Sequence, residues 1–143
     1  MAKIWNDSDE EPTFAVTTIP ATEKEAGAMH FHLQQPKASN GSHYGYKDIN
    51  VRLEMDQVVQ FIEGFKSGRE LVLRYSEGGW STSSMTISPA GEVYVISGEK
   101  EFAGKEGKLK YRMSCPKEVM RYLVKSIEMS LPYIILGVGA NGV

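Results

Sequence analysis

Hydrophobic and polar positions alternate with period two through the middle of the chain, from Arg69 to Ser114. Leu71, Leu73 and Tyr75 fall on one face there, with Val72 and Arg74 on the other. Further on, Leu109, Tyr111 and Met113 alternate with Lys108, Lys110 and Arg112. The pattern predicts strands over Glu70–Tyr75, Trp80–Ser88, Glu92–Ser97 and Lys108–Ser114, an antiparallel meander turned by glycines. Glu77-Gly78-Gly79 makes one turn. Ser88-Pro89-Ala90-Gly91 fits another, a type I turn with proline at its second position. Met29–Leu33 reads as a further short strand, and Ile49–Leu53 as another strand or an extended entry segment.

The period changes to helical on either side of the meander. Val59, Ile62 and Phe65, widened by Val58 and Phe61, form an apolar stripe over Asp56–Lys66. Asp56 is the expected N-cap and Gly68 the expected glycine past the end. A second helix is expected over Lys117–Ser130, opened by Pro116 and carrying Glu118 in its first turn. Val119, Leu123 and Ile127 form its apolar row, and Lys117, Arg121 and Lys125 line the opposite face. Pro132 is expected to stop it, and Tyr133–Val138 has strand character. The expected fold class is α+β, an antiparallel β-meander of about five or six strands with two amphipathic helices packed on one face. Residues 1–28 read as an acidic, loosely structured arm, 29–132 as a single α+β domain, and 133–143 as an apolar C-terminal strand or tail.

At 143 residues the chain can bury a core without metal or disulfide help. Its single cysteine, Cys115, excludes an intramolecular disulfide. The start is acidic where a signal peptide needs an apolar core, and no apolar run reaches membrane-spanning length, so a cytoplasmic protein is expected. The net charge of −2 gives no general affinity for nucleic acid, but the charge is unevenly spread. Two lysines face six carboxylates in residues 1–28. Seven cations face two carboxylates in residues 105–125. An acidic and a basic end could pair between subunits or with a partner.

Chemistry is sparse. His30 and His32 on one strand, with His43 and Asp48, could supply ligands for a divalent metal, but the loop between them fixes no geometry and no metal is assigned. Cys115 sits where a helix dipole could lower a thiol pKa; the plainer reading is a small residue filling the strand-to-helix junction. Trp80–Ser84 has hydroxyls but no nucleophile elbow, and its strand is expected to face water. No glycine motif for phosphate occurs. Glu99, Glu101 and Glu106 are expected in a solvated loop after the third strand. No catalytic set and no cofactor emerges, so a non-enzyme is expected.

Two binding readings remain. A sheet face carrying Arg74, Lys108, Lys110 and Arg112, with Trp80, Tyr94 and Phe102 nearby in sequence, could neutralise phosphates and stack bases. The segment GKLKYRMSCPKEVMRYLVKSI resembles the last strand and helix of the PC4/Whirly class of single-stranded-DNA binders. The resemblance implies a curved antiparallel sheet with a C-terminal helix, and single-strand binding. The reading placed ahead of it is non-catalytic binding to a protein partner or to further copies of the chain, as inhibitors, toxin-immunity proteins, phage antagonists of host factors and oligomeric accessory proteins do. Trp5, Tyr133, Ile134 and Ile135 are its expected contact residues.

Overall fold

The computed structural model describes residues 12–34, 48–104 and 107–136. Seven strands and two helices follow in the order β1 (Thr13–Ile19), β2 (Ala28–Gln34), β3 (Asp48–Glu54), α1 (Met55–Lys66), β4 (Leu71–Glu77), β5 (Ser81–Ala90), β6 (Val93–Phe102), β7 (Lys108–Pro116) and α2 (Lys117–Leu136). The α+β class is as expected. The strands, however, form two antiparallel sheets rather than one meander, β1-β2-β3 and β4-β5-β6-β7. The break has a local cause. Helix α1 begins at the residue after β3 ends and turns the chain away before β4 can join the β3 ladder.

The large sheet is the expected meander with longer strands. The β5–β6 turn falls later than the type I turn expected around Pro89: Ala90 pairs with Val93, leaving Gly91-Glu92 as the loop. Gly91 has φ +66°, which suits a glycine-first hairpin turn whose twist matches its strands. Glu99 and Glu101 are not in a loop; they lie on β6, paired with Lys110 and Lys108. Of the hydroxyl run expected to face water, Ser81 and Ser83 point inward and are buried.

Alternation along β2 and β3 sends Met29, Phe31, Leu33, Ile49, Val51 and Leu53 into the core, all nearly inaccessible. They meet the inner face of the large sheet and the apolar sides of both helices. Phe31 lies edge-on to Phe61 of α1, with centroids 4.8 Å apart. The two sheets pack tightly at Gly98, where a methyl group would sit 2.8 Å from Leu33 Cδ1. At one end of this layer Lys100, 3% exposed, donates from Nζ to the Asp48 carbonyl at 3.0 Å.

Helix α1 starts one residue earlier than expected. Glu54, not Asp56, occupies the cap position, and its N–H donates to Gln57 Oε1 at 3.0 Å. Gly68 takes φ +70° just past the helix, as its place in the sequence suggests. Helix α2 does not stop at Pro132; residues 133–136, expected as a strand, are its last turn. Proline removes one backbone donor, but continuing the helix places Ile134 at 0% exposure and lets its carbonyl accept the Ala21 N–H at 3.1 Å. Within the stretch read as an arm, Thr13–Ile19 form β1, which pairs along its whole length with β2. No helix among the described residues is long and apolar enough to cross a membrane.

Candidate nucleic-acid interface

The outer face of the large sheet is a grid set by strand register. Arg74, Ser84, Glu99 and Lys110 form one row, and Val72, Thr86, Ser97 and Arg112 the next. Ser76, Thr82, Glu101 and Lys108 form the row on the other side. Short hydroxyl side chains on β5 leave the long basic ones of β7 and β4 standing above them. A shallow depression of about 380 Å³ lies between Ser84, Thr86, Ser97, Lys110 and Arg112.

Two of the cations are already paired. Lys108 Nζ lies 3.1 Å from Glu101 Oε1 and 3.4 Å from Glu99 Oε2, and Lys110 Nζ 3.3 Å from Glu99 Oε1. Partial burial pushes the Glu99 carboxyl up, but the hydrogen bond from Lys110 and the charge of Lys108 outweigh it and hold it below its ordinary range. The hydrogen bond to Glu101 and the charge of Glu99 raise Lys108. Arg74 and Arg112 are exposed and make no ion pair among the described residues. Glu70, just before β4, adds a third carboxylate, its Oε2 accepting the Ser88 hydroxyl at 2.6 Å, so four cations against three carboxylates leave the face net positive on a chain whose total is negative.

The structure thus brings together Arg74, Lys108, Lys110 and Arg112 but separates the aromatics from them. Trp80, 59% exposed, sits in the β4–β5 turn at the end of the sheet, 6.2 Å from the Phe102 ring. Tyr94 and Phe102 point inward and are buried, because they share the core side of β6 with Ile96. They are not available on the outer face.

The other expected sites fare unevenly. Ile134 is core, so it cannot be a contact residue; Ile135 is exposed, Tyr133 half-buried, and Trp5 lies outside the described residues. An exposed apolar strip does run along α2 through Val119, Tyr122 and Met129. His30 and His32 share the outer face of the small sheet, 5.7 Å apart. Both ring nitrogens of His32 are engaged, Nδ1 with Asp48 Oδ2 at 3.2 Å and Nε2 with Thr17 Oγ1 at 3.1 Å. His43 lies outside the described residues, and among those described no group of three or more metal-ligating side chains converges. Burial, then the neighbouring His32 and Arg52, lower the His30 pKa. Cys115 is buried at the strand-to-helix junction, and that burial pushes its thiol up, opposite to activation.

One feature escaped the sequence. Between the end of α1, the basic side of α2 and the β5–β6 hairpin lies a groove of about 830 Å³. Phe65 stacks on Tyr94 in its floor, with centroids 5.2 Å apart, and Lys117, Arg121 and Lys125 line its rim. The basic face of α2 was readable from its spacing, but not what it would face.

No protein-family model matches the chain, and no curated protein matches it by sequence. Solved structures do. The chain is similar to WHY1 from Arabidopsis thaliana with TM-score 0.64 at 10% identity, over 90% of this chain and 88% of that one. It is similar to WHY3 from the same plant at 0.63 and 9%, over 89% and 85%. The plant transcriptional regulator PBF-2 follows at 0.59 and 9%, over 89% and 84%. The chain shares their fold. At such identities the likeness reaches no further than the arrangement of the two sheets and two helices.

Proposed function

We propose that this protein binds single-stranded nucleic acid on the outer face of its large sheet, without catalysis. The observation that carries the reading is the net-positive grid of Arg74, Lys108, Lys110 and Arg112 over a floor of serines and threonines. Guanidinium and ammonium groups take phosphates, and the hydroxyls can take sugar or phosphate oxygens. Trp80 at the margin offers a stacking surface. The fold supports it too, since an antiparallel sheet followed by a C-terminal helix agrees with what the sequence resemblance implies. On that support we rank the nucleic-acid reading ahead of the protein-partner reading. The more specific inhibitor, immunity and phage-antagonist readings draw no support from the fold.

The Glu99 and Glu101 carboxylates compete with phosphate for Lys108 and Lys110. Replacing both by glutamine is expected to tighten binding of an oligothymidylate about five- to tenfold at low salt, and to steepen its salt dependence by roughly one unit. Fluorescence anisotropy across a salt series reads both. Wild-type protein that binds no oligonucleotide at 20 mM salt sinks the reading, as does an E99Q/E101Q variant that binds more weakly.

Self-assembly is a second reading, favoured by the exposed Val119, Tyr122 and Met129 strip on α2. Such a row on a helix is rarely left to water. Native mass spectrometry is expected to find an oligomer for wild type and a 15.9 kDa monomer for Y122E/M129E. A monomeric wild type at micromolar concentration would refute it.

A further inference from the structure

Strand β7 runs into α2 with no loop between them, Pro116 ending one and Lys117 starting the other. The outer face of β7 presents Lys108, Lys110 and Arg112 at every second residue, about 7 Å apart. Helix α2 then presents Lys117, Arg121 and Lys125 at every fourth, about 6 Å apart. The cation spacing is thus similar within strand and helix, with Ser114 and Pro116 between the two rows.

We infer that single-stranded nucleic acid bound on the large sheet continues round the end of β7 into the groove between α1 and α2. Lys117, Arg121 and Lys125 hold its phosphates there, and a base lies against Phe65. The inference rests on the proposed function and extends it to a surface on the opposite side of the sheet.

Charge, shape and order favour this occupant. Among the described residues the only carboxylate lining the groove is Glu128, and it is taken by Lys66 at 2.9 Å. Lys117, Arg121 and Lys125 make no ion pair among the described residues. They form a row, one per helical turn, where a small anion would want donors converging on one point. A row suits a repeating polyanion. Beside it the floor is apolar, with Phe65 half-exposed over the buried Tyr94 ring, and Val124 and Met129 alongside. Base and phosphate thus each meet a matching surface. Of the apolar strip on α2, Val119 and Tyr122 lie on another side of the helix, and Met129 is the member that reaches the groove.

The test compares full-length wild type with R121E/K125E, using fluorescein-labelled oligothymidylates of 6 and 20 nucleotides. The short probe fills the sheet site alone; the long one reaches the groove. The variant is expected to lose about tenfold on the long probe, with its salt slope lowered by roughly one, and to keep its affinity for the short one. R121K/K125R should restore the loss. Equal losses on both probes, or none on the long one, overturn the inference, and so does a change in native mass accompanying the loss. A second readout needs no variant: photocrosslinking wild type to a 4-thiothymidine 20-mer should label the peptides holding Phe65 and Tyr94, and labelling confined to the sheet overturns the groove path. If wild type binds neither probe, the proposed function falls instead.

Discussion

Replacing Lys108, Lys110 and Arg112 together by glutamate is expected to abolish single-strand binding at low salt, a loss on the order of a hundredfold or more. The change reverses three charges on one strand face, and each phosphate contact to single-stranded nucleic acid contributes roughly 0.7 to the slope of log affinity against log salt. What remains on the outer face is Arg74 against six carboxylates, Glu70 among them, a surface that repels a polyanion. The substitution has a structural side effect that must be kept apart. Lys108 and Lys110 stand directly opposite Glu101 and Glu99 on β6, so glutamate would set like charges across a strand pair at a cost of about 0.2–1 kcal/mol each. A glutamine triple variant avoids that repulsion while removing the same cations. Both variants should keep the wild-type circular dichroism spectrum. Binding retained by the folded glutamate variant would rule out the sheet face as the site.

Gly27→Ala is expected to be the most damaging single methyl added to the described chain. Gly27 precedes β2, and a Cβ there would collide with the backbone carbonyl of Ile134 in the last turn of α2. That oxygen is fixed by the Ala21 N–H at 3.1 Å, and the Ile134 side chain is fully buried. Backbone cannot yield as a flexible side chain can, so relief requires lifting the end of α2 and giving up both the hydrogen bond and the packing. The cost is about 3 kcal/mol, a fall in Tm of roughly 10 °C. Gly79→Ala is the control: nothing lies near its Cβ position and its φ is not positive, so its Tm should stay within about 2 °C of wild type. Thermal denaturation followed by circular dichroism compares the two. Equal midpoints for G27A and wild type would mean that α2 does not dock as described.

The α2 terminus also marks where reading the sequence goes wrong. Pro132 is a sound local reason to end a helix, and YIIL has the composition of a strand. Both lose to a tertiary term, the fit of Ile134 against Gly27. The same holds for Ile134 as a contact residue, because an exposed tail and a buried last turn present the same letters. Glu99 and Glu101 read locally as a solvated loop, yet they occupy register positions opposite two lysines, and pairing with those lysines satisfies them there.

What the sequence by itself determined was everything with a short period. The strands of the meander, both helices, the inward set on β7 and the basic row on its other face follow from alternation at two or near 3.6 residues, which backbone geometry imposes locally. The tertiary structure alone decided the division into two sheets, the direction of Tyr94 and Phe102, the pairing of Lys108 and Lys110, and the groove under Lys117, Arg121 and Lys125. Each depends on which distant segment meets which face. Sequence spacing records the faces a segment has; only packing settles what they touch.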